Sequence, residues 1–423
     1  DEEITLFSPH DVPGLYEAFG MPEFDELYEK YERSYKTPKT KIRAQELIGT
    51  LLKERAETGR IYIMNIDHCN THSSFKDKVY MSNLCQEITL PTTPVEHIDD
   101  ENGEIALCIL SAVNLGLIRD KHDLEELCDL SVRALDEIID YQEYPIVAAK
   151  QSAQSRRSLG IGYIGLAHYL AKNHVSYGDK EALELVDETT EAFQYYLLKA
   201  SNNLAQEKGK CEYFEKTKYS DGILPIDTYK KDLDKIVKRK LSYDWKQLRK
   251  DIQEHGLRHS TLSAQMPSES SSVVSNATNG IEPPRDYLSV KKSKKGTLKQ
   301  IVPDYYRLKN FYTLLWDMPS NEGYINVVAT MQKYFDQAIS GNWSYNPENY
   351  KDGEVPISVM ANDLLTTYKL GWKTSYYQNT YDAKTDIDEP AHSVGWHDNQ
   401  PMKEREEFQS QEDYDDYCEA CMI

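Results

Sequence analysis

Residues 41–65 read KIRAQELIGTLLKERAETGRIYIMN, a helix pattern that runs into a strand pattern. Gly59 is typical of a helix stop, and residues 60–65 predict a short strand. The helix is predicted over 41–58 because apolar residues recur at the spacing of one helix face, at Ala44, Leu47, Ile48, Leu51 and Leu52. This stretch therefore predicts a helix that leads into a buried strand.

Further elements follow along the chain. Residues 122–141 and 181–208 have the apolar periodicity of amphipathic helices, which we expect to lie in an outer layer. Residues 286–303 alternate like a β-hairpin with its turn near Lys294. From residue 383 the periodicity ends and acidic residues dominate, which predicts a flexible tail over 383–423 after one folded unit over 1–382.

Composition narrows the classes of function. The chain has 423 residues, 39% of them hydrophobic and 28% charged, which is a globular balance. Its 49 Lys and Arg against 70 Asp and Glu give a net charge of -21, which argues against DNA and membrane-surface binding. The apolar run 105–118 is too short to span a bilayer. A phosphate ligand would therefore have to be bound by the local geometry of one site, because the net charge of the chain repels it.

The cysteine pattern predicts a reducing, cytoplasmic location. Seven cysteines in 423 residues are sparse and odd in number, unlike the framework of a small secreted domain. The chain also starts at Asp1, which suggests a piece of something longer.

Three side chains in the stretch SNLCQEITLP have redox and acid-base chemistry. Asn83, Cys85 and Glu87 stand two residues apart, so in an extended strand or loop they would line one face. An amide, a thiol and a carboxylate would then face one small ligand. An ordinary strand carrying such a triplet by chance is the alternative.

Residues 266–274, MPSESSSVV, predict a helix start that could bind phosphate. Hydroxyl groups surround the first turn, where free backbone N–H groups and the positive end of the helix dipole attract anions. A plain capped helix is the competing interpretation.

The terminal Cys418 and Cys421 form a C-x-x-C pair two residues from the end of the chain. The other cysteines are scattered singly, so a four-cysteine zinc site is disfavoured. A mobile dithiol that exchanges with disulfides fits better, with zinc binding or no role as alternatives.

Two further patterns are assigned structural roles. Residues 67–72 contain two histidines and a cysteine, but no complementary ligand cluster accompanies them. Residues 160–165 match G-x-G-x-x-G without a convincing preceding strand, and we expect close helix packing to explain the glycines.

Taken together, these motifs resemble the large catalytic subunit of class I, aerobic ribonucleotide reductase. The resemblance runs along nearly the whole chain and is carried by NLCQE at 83–87, GEIALCILSAVNLG at 103–116, WKQLRKDIQEHGLRHSTLSAQMP at 245–267, PSESSSVVSNATNGIEPP at 267–284, SYYQNT at 375–380 and the terminal CEAC. It implies an α/β fold: the C-terminal portion of a ten-stranded α/β barrel, with a finger loop carrying the radical cysteine and a redox-active tail.

The resemblance implies a role for each motif in reducing ribonucleoside diphosphates for DNA synthesis. Cys85 would be the thiyl radical, with Glu87 as base and Asn83 as hydrogen-bond partner. Cys108 would be one of two cysteines that deliver reducing equivalents. The remaining roles would be binding of the substrate diphosphate by Ser268, Glu269, Ser270 and Ser271, radical relay by Tyr376 and Tyr377, and re-reduction of the active-site disulfide by Cys418 and Cys421.

It also implies partners and marks what this chain lacks. The radical would come from a small metal-containing subunit, so no cofactor or metal is expected on this chain, and thioredoxin or glutaredoxin would supply electrons. The second partner cysteine and the two allosteric nucleotide sites lie in an N-terminal half in this family. We therefore expect an N-terminal fragment as partner, as in a split subunit. The alternatives are a non-catalytic assembly fragment and a cobalamin-dependent or glycyl-radical reductase of the same superfamily.

Overall fold

The computed structural model describes residues 2–293 and 296–382, which form a mixed α/β structure. The strands are β1 Glu3–Leu6, β2 Thr40–Arg43, β3 Ile63–Met64, β4 Ile109–Asn114, β5 Leu159–Ile164, β6 Leu288–Ser293, β7 Gly296–Ile301, β8 Trp343–Tyr345, β9 Thr374–Ser375 and β10 Gln378–Thr380. The helices are α1 Leu15–Ala18, α2 Glu23–Arg33, α3 Ala44–Thr58, α4 Ile66–Thr71, α5 Lys121–Tyr141, α6 Val147–Arg156, α7 Leu166–Lys172, α8 Lys180–Lys208, α9 Pro225–Thr228, α10 Trp245–His255, α11 Glu269–Val274, α12 Tyr305–Leu308, α13 Glu322–Gln332 and α14 Ile357–Lys369.

A series of parallel segments forms the centre of the molecule. β4 pairs in parallel with β5 over six residues, and a parallel bridge from Ile161 to Ser263 adds the segment 261–266. A second parallel bridge, from Gln265 to Ile339, adds the segment 337–341, which continues into β8. β10 lies parallel to β8, and β3 closes the series antiparallel to β9. Parallel neighbours need helical crossovers, which explains the intervening helices.

The predicted opening helix begins three residues late. Residues 41–43 belong to β2, which pairs antiparallel with β1, so α3 runs from Ala44 to Thr58. Gly59 ends it in the left-handed region at φ +70°, as predicted. The strand predicted over 60–65 is reduced to Ile63–Met64. Periodicity alone predicted that the helix exists, whereas the length of the strand depended on which partner strand lies beside it.

The two long amphipathic helices differ in their surroundings. α5 is capped by the Asp120 carboxylate, which accepts hydrogen bonds from the N–H groups of His122 and Asp123, and it packs along α8. α8 itself is a core helix, so the expectation of an outer layer is wrong for it. Even its Asp187 and Glu191 carboxylates are fully buried.

Each of these two buried carboxylates is paired with a cation and with a second hydrogen-bond donor. From the sequence alone, the two acids look like residues on a solvent-facing side of the helix. Asp187 accepts hydrogen bonds from Lys333 Nζ at 2.8 Å and Tyr334 Oη at 3.0 Å. Glu191 accepts from Trp245 Nε1 at 3.0 Å, and Arg239 forms ion pairs with both carboxylates. A buried carboxylate is tolerated only with such partners.

Gly160 and Gly162 lie in β5, and not at a helix contact as expected, whereas Gly165 follows the strand and caps the start of α7 at φ +75°. A Cβ added to Gly160 would stand 2.5 Å from Leu110 Cδ2 and 2.8 Å from Cys108 Sγ. A Cβ added to Gly162 would stand 2.7 Å from the carbonyl oxygen of Ala264. The glycines therefore let β5 lie close to the strands on both sides of it.

The predicted hairpin is present, since β6 and β7 pair antiparallel with Ser293 opposite Gly296. Within the described residues no helix is both long and apolar enough to cross a membrane. The predicted tail over 383–423 lies outside the described residues.

Candidate active site

Cys85 lies in a tight turn. The Gln86 N–H donates to the Asn83 carbonyl at 3.1 Å, and the Ile88 N–H donates to Asn83 Oδ1 at 3.1 Å. Gln86 adopts φ +67°, a conformation that is uncommon for a residue other than glycine. Alternation along an extended strand therefore does not bring the three predicted side chains together. A loop does, and the Asn83 side chain closes it.

Glu87 is a buried carboxyl group at the base of this turn. It is 2% exposed, and Ser340 Oγ lies 3.1 Å from its Oε2 and 2.5 Å from the Cys85 carbonyl oxygen. Burial raises the pKa of Glu87, while hydrogen bonds from Asn83 and Ser340 oppose that rise. A carboxyl whose pKa moves toward neutrality is suited to exchange protons with a bound ligand.

Tyr376 brings a phenol against the Cys85 thiol. Its hydroxyl group donates to Cys85 Sγ at 3.4 Å, and its ring centroid lies 4.0 Å from that of Tyr377. Both tyrosines are nearly buried, at 5% and 7% exposed. Burial, followed by the hydrogen bond to Cys85, holds the pKa of Tyr376 far above its usual range. The structure thus joins Cys85, Tyr376 and Tyr377 in one continuous chain of contacts.

A third tyrosine, which the sequence did not single out, completes this aromatic cluster. The Tyr62 ring centroid lies 4.8 Å from that of Tyr376 and 5.4 Å from that of Tyr377. Burial and hydrogen bonding to Tyr377 raise the pKa of Tyr62 well above its usual range. In the sequence it stood inside a predicted strand, where a tyrosine is an ordinary residue.

Cys108 belongs to the same region through Gln337. The Gln337 side-chain nitrogen lies 3.7 Å from Cys108 Sγ and also donates to the Leu159 carbonyl at 2.9 Å. Burial raises the pKa of the Cys108 thiol, and the charge of Glu87 acts in the same direction. Cys108 is therefore close enough to the turn to respond to its carboxylate.

The segment 337–340 organises the site and was not predicted from the sequence. Gln337 contacts Cys108, the Ala338 N–H donates to the Glu87 carbonyl at 3.0 Å, and Ser340 contacts both Cys85 and Glu87. Its residues, QAIS, form an unremarkable apolar and polar mixture. Only their position beside the turn gives them importance.

The predicted phosphate-binding helix start is present but short. α11 covers Glu269–Val274, and the Ser268 hydroxyl donates to the Met266 carbonyl at 3.3 Å, not to the helix. Ser270 and Ser271 are exposed at its first turn. The helix follows directly from the segment 261–266, which lies beside the segment carrying Ser340.

The remaining cysteines and histidines are structural where they are described. Cys69, Cys128 and Cys211 are free and buried, and burial raises the pKa of Cys69 and of Cys211 to about 12. His68 Nδ1 donates to the Trp372 carbonyl, and His72 Nε2 donates to the Gln332 carbonyl, both at 2.7 Å. Among the described residues no cluster of three His, Cys, Asp or Glu side chains could hold a metal. Cys418 and Cys421 lie outside the described residues.

Comparison with known proteins identifies the relatives of this chain. The family described as ribonucleotide reductase, barrel domain, matches residues 1–308 and 306–378. The ribonucleoside-diphosphate reductase subunit alpha of Haemophilus influenzae is 61% identical over 92% of this chain and 52% of its own length. The ribonucleoside-diphosphate reductase 1 subunit alpha of Escherichia coli is 58% identical over 91% of this chain, and the ribonucleoside-diphosphate reductase subunit alpha of phage T4 is 44% identical over 90%. The chain spans about half the length of these relatives.

Proposed function

Because this chain belongs to the ribonucleotide reductase barrel-domain family, we propose that it is the C-terminal, radical-bearing part of the catalytic subunit of a ribonucleoside-diphosphate reductase. The observation that carries this proposal is the contact between Tyr376 Oη and Cys85 Sγ at 3.4 Å, with the Tyr377 ring in tilted contact behind Tyr376 at 4.0 Å between centroids. A phenol against a thiol, backed by a second phenol, suits the transfer of one electron and one proton. The names of the relatives supply the substrate class.

Each side chain has a defined task in the proposed reaction. Once the small subunit has oxidised Tyr377, the Tyr377 radical would take one electron and one proton from Tyr376, and the Tyr376 radical would take them from Cys85, which leaves a thiyl radical in the turn. The thiyl radical takes the 3′-hydrogen of the ribonucleotide, Glu87 exchanges a proton with the ribose, and Asn83 holds it by hydrogen bonding. The 2′-hydroxyl then leaves as water.

The electron balance requires two thiols. Cys108 would supply one and a cysteine of the N-terminal part the other, so the products are a deoxynucleoside diphosphate, water and a disulfide. Cys418 and Cys421 would re-reduce that disulfide and be restored by thioredoxin or glutaredoxin. Exposed Ser270 and Ser271, with Ser268 and Glu269, would hold the diphosphate at the start of α11.

Three partners follow from this proposal: an N-terminal fragment, a small radical-generating subunit and the external dithiol donor. The metal of the small subunit supplies the initial oxidising equivalent. This chain would bind no metal itself, and its sparse cysteines support a cytoplasmic location.

Reconstitution tests the proposal. On mixing with an N-terminal half and a small subunit, the chain should form deoxynucleotide from a nucleoside diphosphate, and Cys85→Ser should abolish it while Cys69→Ser should not. Cys69 is the matched control because it is a buried cysteine bonded only to the backbone. Activity that survives Cys85→Ser would refute the proposal, and activity with cobalamin and no small subunit would support the alternative reductase class instead. A folded chain that never assembles into an active enzyme would favour a non-catalytic fragment.

A further inference from the structure

Arg55 is an unusual residue on α3, near the aromatic cluster of Tyr62, Tyr376 and Tyr377. Its side chain is fully buried, yet among the described residues its hydrogen-bond acceptors are backbone carbonyl groups and not carboxylates. Buried guanidinium groups ordinarily pair with a carboxylate, since an isolated buried charge is costly. The contacts of Arg55 must therefore explain why the charge is kept there.

Arg55 is held by backbone carbonyl groups and one aromatic ring. Its Nη1 donates to the Tyr376 carbonyl at 2.8 Å and to the Ile61 carbonyl, and its Nη2 lies 3.3 Å from the Tyr377 carbonyl. The guanidinium carbon stands 4.6 Å from the centre of the Trp343 ring. Burial lowers the pKa of Arg55 to about 10, so the group is still cationic at neutral pH.

The backbone at the tyrosine pair explains the need for such a donor. Adjacent side chains of a regular strand point to opposite faces, so the rings of two consecutive tyrosines could not come into contact. Their ring centroids are nevertheless 4.0 Å apart, and the strand is interrupted there: β9 ends at Ser375 and β10 begins at Gln378. The interruption leaves the buried Tyr376 carbonyl group outside both strands, without a ladder partner among the described residues.

Arg55 satisfies the Tyr376 carbonyl. Among the described residues it is the one donor to the Tyr376 carbonyl, and it shares the Tyr377 carbonyl with the Trp343 N–H, which donates at 2.8 Å. The planar fork of a guanidinium can bond to neighbouring carbonyl oxygens at once, which a single ammonium group matches poorly.

We infer that Arg55 is a positioning residue for radical transfer: it fixes the interrupted backbone that brings the rings of Tyr376 and Tyr377 into contact and aims the Tyr376 hydroxyl at Cys85. This inference rests on the proposed function. Arg55 touches neither substrate nor the phenol oxygens, so it acts through the backbone. Misplacement of reacting groups by about 1 Å can cost on the order of 100-fold in rate, so removal of the fork should slow turnover by at least about tenfold.

The test compares Arg55→Met and Arg55→Lys with Lys53→Met in the reconstituted enzyme. Lys53 lies on the same helix, is 64% exposed and pairs with Glu57 at 3.7 Å, so it is a matched loss of one charge. For Arg55→Met we expect kcat to fall at least about tenfold with KM for the nucleoside diphosphate changed less than about twofold. Arg55→Lys should lie between wild type and Arg55→Met, and Lys53→Met should match wild type.

A spectroscopic measurement separates positioning from general destabilisation. With 3-aminotyrosine at position 376, which is oxidised more easily than tyrosine, the radical trapped there is counted by electron paramagnetic resonance. The yield per folded enzyme should fall in Arg55→Met by a factor similar to kcat. A lowered melting temperature with unchanged kcat and radical yield per folded molecule would overturn the inference.

Two further outcomes are decisive. If Arg55→Met does not fold, Arg55→Lys decides: a reduced kcat at unchanged KM supports positioning, and wild-type kcat overturns it. If wild-type enzyme forms no deoxynucleotide, the proposed function fails; if wild type is active and Arg55→Met turns over equally fast, only the inference about Arg55 fails.

Discussion

Removal of the Ser340 hydroxyl should move the pH profile of the proposed enzyme. In the structure that hydroxyl lies 3.1 Å from Glu87 Oε2, and both residues are buried, at 8% and 2% exposed. Because the hydrogen bond stabilises the ionised carboxylate, Ser340→Ala should raise the pKa of Glu87 further above its ordinary value.

The size of the shift follows from the geometry. A hydrogen bond to a charged group contributes about 1.5–3 kcal/mol, but 3.1 Å is long for an O–H donor and the same proton is shared with the Cys85 carbonyl at 2.5 Å. We therefore expect about 1 kcal/mol, which at about 1.4 kcal/mol per pKa unit is roughly 0.7 unit.

The sign follows from the proposed role of Glu87 as base. Because a base must be ionised to accept a proton, the acidic limb of kcat/KM should move to higher pH by roughly 0.7 unit in Ser340→Ala. The assay is deoxynucleotide formation by the reconstituted enzyme across pH 5–9. Ser340→Thr, which keeps a hydroxyl, should leave the limb near its wild-type position.

Ser220→Ala is the matched control, since Ser220 also donates to a backbone carbonyl, that of Thr217 at 2.8 Å, away from the site. An acidic limb that stays in place in folded Ser340→Ala would refute the reasoning. It would mean that Glu87 is not the base or that the hydroxyl does not stabilise its ionised form.

Three further predictions follow from single contacts. Tyr376→Phe removes the hydroxyl that donates to Cys85, so kcat, measured as turnover, should fall at least about 100-fold. The free energy of unfolding, measured by melting, should change by only about 1 kcal/mol. Burial lowers the pKa of Lys373 to about 7, below its unfolded value, so its contribution to the free energy of unfolding is lost as pH falls through 7. The melting temperature of wild type should therefore rise relative to that of Lys373→Met between pH 7 and 10. Parallel curves of melting temperature against pH for the two proteins would contradict this. Iodoacetamide should alkylate the partly exposed Cys85 before the fully buried Cys69, and mass spectrometry of the peptides measures the order. The reverse order would show that the turn is closed in solution.

Secondary structure was predictable where local periodicity decides it. The helices near 122–141 and 181–208 and the hairpin near Lys294 all lie where the apolar spacing indicated. The surroundings of α8 were not predictable, because Asp187 and Glu191 are stabilised by cations and N–H groups more than forty residues away. The strand role of residues 160–165 was missed because glycines selected for close strand contact look like breakers.

The candidate site shows the same division. The residue types at 83, 85 and 87 and the paired tyrosines were visible as motifs, and the resemblance gave each a role. Tyr62, Gln337 and Ser340 were not, because nothing local distinguishes a buried tyrosine, glutamine or serine from those of any other strand.

The sequence by itself determined the family, the helices and the chemical groups available: thiols, a carboxyl, phenols and a hydroxyl-rich helix start. These depend on residue identity and short-range spacing. Only the tertiary structure decided that Cys85 lies in a turn, that Tyr376 reaches it, and that Arg55 holds the interrupted strand in place. The physical reason is that the contacts of Cys85 with Tyr376 and Ser340, and of Arg55 with Tyr376, join residues more than 250 positions apart, and hydrogen bonds at that separation are set by packing of whole elements and not by local pattern.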